Sequence, residues 1–315
     1  MKSLRTAICA AIVLVFVLTG SYVHAADSTK SFLGRWDLTL KSASRDYPSW
    51  LEVRLEDGQL KAQYVGRWGN ARPLPKVEVA KGVLTFVSPK EEEDSKADLV
   101  FEGKLTRKTL SGTVNGPDGT TWQWTGEKAP ALEKTGTPKW GQPVTLFNGK
   151  DLSGWKMDKE GPPFWTVKDG TLVTPGNGPE LVSDAKFQDF KLHIEFNCGQ
   201  NSNSGVYLRG RYELQVETES EAEPPSHHTG GIYGFLAPSP ELPRAPDVWQ
   251  TYDITLIGRQ VTVVQNGKTV IDNKEIPGIT GGAVNSHEGL PGPIYLQGGE
   301  KGHVAYRNIV ITPAE

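Results

Sequence analysis

Cysteine is nearly missing from this chain. Only Cys9 and Cys198 occur in 315 residues. No disulfide framework carries the fold, and Cys198, in a strand-like run, reads as a small buried hydrophobe rather than a reactive thiol. Charge of one sign is missing too. The formal net charge is -3, with no block of basic residues, so nucleic acid and anionic membrane surfaces are poor partners. Long apolar patterns with a 3.6-residue period are absent, which argues against a helical protein. There is no Gly-x-Gly-x-x-Gly after a strand, no Walker loop, no Gly-x-Ser-x-Gly elbow and no His-Glu-x-x-His spacing. Nucleotide cofactors and serine hydrolysis therefore have no support, and no metal site announces itself.

The chain does carry a leader-like start. Lys2 and Arg5 precede an apolar run from Ala7 to Leu18, and Val23-His24-Ala25 has a small-residue cleavage pattern. Residues 1–25 read as a secretory signal peptide, too short in its apolar part for a comfortable span. Its removal takes two positive charges and moves the formal charge from -3 to -5. A periplasmic or secreted protein is expected, with no membrane span after cleavage.

Glycine (35) and proline (22) punctuate the rest, and short alternating runs between them predict an all-β protein. Residues 32–127 form one unit. Trp50 to Leu55 alternates, turns at Asp57-Gly58 and returns as Leu60 to Val65; five further short runs follow. A small up-and-down barrel fits, its Gly34-x-Trp36 opening like that of calycin barrels, with a small sandwich as the alternative. Residues 128–143 have linker composition, which predicts a separable domain after them. From 144 to 315 the strands are clearer. Phe190 to Phe196, Val206 to Arg209, Leu214 to Glu217, Tyr252 to Ile257 and Val261 to Gln265 all alternate, and Asn266-Gly267 makes a hairpin turn. Two packed antiparallel sheets follow.

Alternation also sorts residues by face. Apolar Phe190, Leu192, Ile194 and Phe196 leave His193 and Glu195 opposite. Val206 and Leu208 leave Tyr207 and Arg209. Leu214 and Val216 leave Glu213, Gln215 and Glu217, and Ile294 with Leu296 leaves Tyr295 and Gln297. If these strands are neighbours, one sheet face carries acid, base and hydrogen-bond donors together. Long loops, Thr218 to Trp249 and Asn273 to Gly292, hold three of the five histidines beyond the leader: His227, His228 and His287. Loops of that length are commonly functional.

Three phrases stand out in order: Leu146-Phe147-Asn148-Gly149-Lys150-Asp151-Leu152-Ser153-Gly154-Trp155, then Asn203-Ser204-Gly205-Val206-Tyr207-Leu208-Arg209-Gly210, then Tyr306-Arg307-Asn308-Ile309. This set resembles the 3-keto-disaccharide hydrolase family over about 170 residues. The resemblance implies a concanavalin A-like jelly roll and a carbohydrate substrate. The family's Gln-x-His near the last strands is altered here, with Gln297 kept and the histidine displaced to His303.

The resemblance also implies chemistry on 3-keto-glycosides. A ketone at C3 acidifies the C2 proton, so a base starts an elimination that expels the C1 substituent, and water adds back. Such a site needs a base, an enolate stabiliser and a proton donor. Glu195, His228 or His287 is the expected base. Arg209, or a bound divalent cation, is the expected stabiliser. His193, Asn203, Tyr207, Gln215, Glu217, Tyr233, Trp249 and Gln297 are the expected sugar contacts, the aromatics for stacking and the rest for hydroxyls. A non-catalytic, lectin-like module is the alternative, because the fold hosts both.

Overall fold

A computed structural model describes residues 29–133, 136–159, 164–218, 223–299 and 301–315. The expected leader lies outside them. Among the described residues no helix is long and apolar enough to cross a membrane.

The first unit is a meander of short strands: β1 Gly34–Lys41, β2 Asp46–Glu56, β3 Gln59–Val65, β4 Arg72–Pro73, β5 Lys76–Ala80, β6 Val83–Ser88, β7 Leu99–Thr106, β8 Thr109–Asn115 and β9 Thr121–Lys128. Their order in the sheet is β4-β3-β2-β1-β9-β8-β7-β6-β5, antiparallel wherever strands pair. Consecutive strands pair except β4 and β5, which form the two ends, and β1 also pairs with β9. The sheet's two ends, β4 and β5, are linked by a tight connection whose Leu74 N–H donates to Ala62 of β3. The sheet thus curls into an up-and-down barrel around Trp36, Leu38, Leu51, Tyr64, Phe86, Phe101 and Trp124. Its aromatics interlock: Phe86 and Phe101 stack at 4.4 Å, and Trp124 meets both edge-on.

The second unit begins with β10 Val144–Thr145, β11 Trp155–Met157, β12 Thr166–Lys168, β13 Thr171–Thr174, β14 Leu181–Phe187, β15 Phe190–Cys198 and β16 Asn203–Leu208. It continues with β17 Tyr212–Glu217, β18 Gln250–Ile257, β19 Gln260–Gln265, β20 Lys268–Glu275, β21 Gly292–Leu296 and β22 Val304–Pro313. One sheet runs β12-β13-β22-β15-β18-β19-β20, with β10 added to β22; the other runs β11-β14-β21-β16-β17. The apolar halves of the alternating strands meet between the sheets: Leu192, Ile194 and Phe196 from one, Val206, Leu208, Leu214, Val216 and Ile294 from the other. This is a concanavalin A-like jelly-roll sandwich. Cys198 lies buried within it.

Two of the family-like phrases are architecture. Asn148 Oδ1 accepts from the N–H groups of Lys150 and Asp151, and Asp151 accepts from Asn148 Nδ2 and Ser153 N–H. The turn so stitched brings Trp155 Nε1 within 2.7 Å of the Leu146 carbonyl. In the last phrase, Tyr306 hydroxyl meets Ser204 Oγ at 2.8 Å, across the core.

The two cores touch. Trp50 and Val65, paired across β2 and β3, face away from the barrel interior and belong to the sandwich core. Trp50 is fully buried, edge-on to Phe235 at 5.4 Å. A Cβ on Gly278 would come within 2.2 Å of the Trp50 indole nitrogen, so glycine is what lets the ring in. Residues 128–143 are tied at both ends: Ala129 N–H donates to Arg35, and Gly141 N–H donates to Pro313. The expectation of a separable second domain therefore meets a physical obstacle, since cutting after the linker removes Trp50 from a core it helps to fill.

Polar contacts cross the same boundary. Arg35 pairs with Glu275, and Thr39 Oγ1 meets Ser286 Oγ at 2.8 Å. Asp37 hydrogen-bonds Glu288, which accepts from Tyr212 hydroxyl at 2.6 Å and pairs with Arg259 at 3.0 Å. Burial first, and the Glu288 charge second, push the Asp37 carboxyl up to about 9. The folded protein therefore holds a proton there that the unfolded chain releases near pH 4. Stability from this group is full below that pH and falls as pH rises from about 4 towards 9. Asp37→Asn keeps a neutral hydrogen-bond donor and removes the titration. The expected result is that the variant's melting temperature rises relative to wild type as pH goes from 5 to 9. A gap that stays constant over that range would contradict it.

Candidate active site

The outer face of the five-stranded sheet is the floor of a cleft. Alternation places Tyr207 on β16, Glu213, Gln215 and Glu217 on β17, Tyr295 on β21 and Val182 on β14 on that face, with Asn203, Gln297 and Glu180 at strand ends. Tyr207 and Tyr295 stack at 4.2 Å, and with Val182 they form a small apolar cluster outside the main core. Tyr207 hydroxyl lies 2.8 Å from Glu213 Oε2 and 2.9 Å from the Gly281 carbonyl. Burial, then the Glu213 charge, pushes its pKa well above the ordinary phenol range, so it stays a proton donor. Gly205 makes room for Glu213, whose Oε1 lies 2.4 Å from where a Cβ would stand.

Three connected chambers run along this floor. The first, about 170 Å³, is lined by Asn203, Gln215, Glu217, Glu223, His227, Tyr233 and Lys301. The second, about 100 Å³, shares Asn203, Gln215 and Tyr233 with it and adds Tyr207, Glu213, Trp68 and Gln297. The third, about 490 Å³, shares Trp68, Tyr207 and Gln297 and opens between barrel and sandwich. Gln215 Oε1 and Gln297 Oε1 are buried and have no hydrogen-bond partner among the described residues. An unpaired buried amide oxygen costs on the order of 1–3 kcal/mol. Two of them along one cleft mark places where a ligand's hydroxyls would donate.

His227 lines the first chamber. A short 3-10 turn, Pro225–His227, folds the loop so that Glu223 comes back onto the histidine. Its Nδ1 lies 2.9 Å from Glu223 Oε2, while its Nε2 is buried with no partner. The ring stacks on Tyr233 at 4.2 Å. A carboxylate on one ring nitrogen fixes the tautomer and orientation, and leaves the lone pair of the other nitrogen unengaged among the described residues.

The sequence-based candidates divide accordingly. Asn203, Tyr207, Gln215, Glu217, Tyr233 and Gln297 are brought together in the cleft. Glu217 is held in an ion pair with Arg244 at 3.3 Å. Glu195 and His193 are not there, because β15 belongs to the other sheet and they face its outer side. Glu195 accepts from Asn308 Nδ2 at 2.6 Å and pairs with Arg307 at 2.7 Å, and the Asn308 bond is the chief reason its carboxyl is held below the usual range. His193 Nδ1 meets Asp253 at 2.7 Å, and Trp249 lies under the Arg307 guanidinium at 3.9 Å. Arg209 breaks the alternation. Its φ of 54° turns it out of the strand pattern, and its fully buried side chain donates to Tyr212 hydroxyl and the Gly258 carbonyl. It lines none of the three chambers. His228 faces Glu241 with Nδ1 and the Glu223 carbonyl with Nε2, so neither nitrogen is left for a substrate. His287 lines a separate hollow beside β1 and β9.

The sequence reading missed His227 in favour of its neighbour, and it missed Glu223. The available signal was the i, i+4 spacing of Glu223 and His227 around Pro224-Pro225, which a single turn closes. It also missed the barrel's share of the cleft, Tyr47, Arg67 and Trp68, which no alternation pattern could connect to a domain 100 residues away. Among the described residues no group of three or more His, Cys, Asp or Glu is arranged to hold a metal ion.

Comparison with known proteins follows the same boundary. The model of the 3-keto-alpha-glucoside-1,2-lyase-like domain matches residues 142–312. The chain belongs to this family. A 3-keto-disaccharide hydrolase of Bacteroides thetaiotaomicron is 31% identical over 76 residues, which is 20% of this chain and 26% of that protein. The chain thus spans about a quarter of the curated relative it matches. A provisionally named glycosyl hydrolase from Parabacteroides distasonis ATCC 8503 has 32% identity over 54% of this chain and 82% of its own, with a TM-score of 0.47. A Bacillus licheniformis beta-glucanase has 13% identity over 58% of this chain and the whole of its own, with a TM-score of 0.34. Neither the barrel nor its contribution to the cleft falls within the matched family segment.

Proposed function

We propose that this protein cleaves 3-keto-glycosides, with His227 as the base that removes the C2 proton. The observation that carries the reading is the Nε2 of His227, buried and without a partner among the described residues, in a ring oriented by Glu223 at one end of a cleft lined by amide, carboxylate and aromatic groups. Family membership supports a glycoside-acting domain, and the curated relative's name supports a keto-sugar substrate.

The chemistry follows from the ketone. His227 Nε2 takes the C2 proton, and the electron pair moves into the C2–C3–O3 enolate. Asn203 and Lys301, beside His227 in the same chamber, supply an amide and an ammonium to that oxygen. The enolate then re-forms the ketone as the C1–O bond breaks, and the departing oxygen takes a proton and leaves as an alcohol. Water adds across the C1–C2 double bond, its hydroxyl to C1 and its proton to C2. The net change is hydrolysis of the glycoside, without the two flanking carboxylates of an ordinary glycosidase. No redox step occurs here, so the ketone is introduced by a separate oxidation.

The test uses the full chain with paired substrates. A methyl 3-keto-glucoside should be cleaved, and its unoxidised parent should not. Equal rates on the two would overturn the elimination and favour two-carboxylate chemistry. Binding of both without cleavage of either would favour the lectin-like alternative. We also propose export, on the leader pattern of residues 1–25; the mature protein should then begin after Ala25 when recovered from the cell exterior or periplasm and sequenced from its N-terminus. An intact Met1 terminus would overturn this.

A further inference from the structure

The barrel has no part in the chemistry above, yet it walls the largest chamber of the cleft. The loop after β3 carries Arg67 and Trp68 to the sandwich, and the start of β2 carries Tyr47 beside them. That loop is clamped in place. A Cβ on Gly281 would fall 2.4 Å from the Gly69 carbonyl, and one on Gly234 would fall 2.5 Å from Asn70 Cβ, so sandwich glycines receive the barrel loop at backbone contact.

Trp68 is the unusual residue here. Its indole is 44% exposed, in a protein that buries most of its tryptophans. It is nevertheless held firmly. The Arg67 guanidinium sits 4.1 Å from its ring, and Tyr47 meets it edge-on at 6.0 Å. Tyr47 is in turn stacked on Trp122 at 5.3 Å. A rigid aromatic with one exposed side, at the junction of two chambers, is a stacking platform rather than a core residue. Across the chamber stand Tyr207, Tyr295, Asp158 and Glu180. Burial raises the Glu180 carboxyl, and its Oε2 accepts from Gly298 N–H at 2.6 Å.

We infer that this barrel-walled chamber is a distal subsite for a second sugar ring, with Trp68 as its stacking platform. The inference rests on the reading of the cleft as a glycoside site. The chamber at His227 is about 170 Å³ and the one next to it about 100 Å³, below the span of ordinary small-molecule sites, whereas the third is about 490 Å³, within it. The ring that reacts sits at His227, so what fills the third chamber is the part beyond the scissile bond. Its walls decide what that part is. Both walls carry both signs, Arg45, Asp46 and Arg67 from the barrel and Asp158, Lys159 and Glu180 from the sandwich, which suits a polyol that both donates and accepts; an aromatic leaving group would leave those groups unpaired. The preference for a second ring over a simple alkyl group is thus set by the barrel, outside the matched family segment, with Trp68 as the residue that reads it.

The test separates binding from turnover. Calorimetry measures glucose, a gluco-disaccharide and a gluco-trisaccharide, all unoxidised, against the wild-type full chain and against Trp68→Ala and Trp68→Phe. The expected result is tighter binding of the disaccharide than of glucose by wild type. Trp68→Ala should lose about tenfold for the disaccharide and stay within twofold for glucose, while Trp68→Phe keeps most of the gain. In kinetics the Trp68→Ala loss should appear in KM for a 3-keto-disaccharide and be absent for methyl 3-keto-glucoside. Equal affinity of wild type for glucose and disaccharide, or equal losses on both in Trp68→Ala, would overturn the subsite while leaving the His227 chemistry standing. Failure of wild type to bind any of the three sugars would overturn the cleft as a glycoside site and the subsite with it.

Discussion

Replacing His227 by glutamine is expected to lower turnover of a 3-keto-glycoside by about two to four orders of magnitude, the usual span for a lost general base. Glutamine keeps a planar polar group and removes the lone pair that takes the C2 proton. His227 is almost buried, with Glu223 and Tyr233 as its side-chain contacts among the described residues, so the fold should survive with an unchanged melting temperature. Glu195→Gln is the matched control. Glu195 sits on the outer side of the other sheet, fixed by Arg307 and Asn308, and its loss should leave turnover within about twofold. The two variants therefore make opposite forecasts, read by the same steady-state assay. A Glu195→Gln enzyme that is inactive beside an active His227→Gln enzyme would place the base on the eight-stranded sheet.

Truncating Trp50 is expected to have the largest effect on stability. Large-to-small changes at a buried Trp cost roughly 3–5 kcal/mol, and this indole fills space in the sandwich core while being supplied by the barrel. At about 2–4 °C per kcal/mol for chains of this size or somewhat smaller, Trp50→Ala should lower the melting temperature by roughly 6–20 °C. It should also loosen the two units' contact, so that limited proteolysis cuts within residues 128–143 faster than in wild type. A variant that melts like wild type would show that the cores are independent, as the linker composition alone suggests.

Much of the fold was legible because both units are built from short alternating strands, and alternation is a local property. The faces of β16, β17 and β21 read correctly for the same reason, which is how Tyr207, Gln215, Glu217 and Gln297 come together as expected. What alternation does not carry is which sheet a strand joins. Glu195 and Tyr207 lie on equally clean strands in different layers, so grouping them by pattern put two surfaces into one. Arg209 failed for a local reason, since its left-handed φ at the strand end re-aims the side chain. The histidines failed for another. His227 and His228 are adjacent and chemically identical, and only the partners chosen by the loop, Glu223 for one and both Glu241 and the Glu223 carbonyl for the other, tell a free nitrogen from an occupied pair. Trp50 and Trp68 gave no sequence signal for a third reason, because contacts between two domains leave no period in either.

The central claim is that His227 removes the C2 proton of a 3-keto sugar, and proton exchange tests that step without requiring cleavage. A 3-keto-glucoside is incubated in deuterated water with the full-length protein, and the C2 proton resonance is followed by NMR in recovered starting material and product. The account predicts deuterium at C2 with wild type and with Glu195→Gln, and none above background with His227→Gln. Cleavage by wild type with no deuterium at C2 in either pool, or exchange that survives in His227→Gln at the wild-type rate, would contradict it.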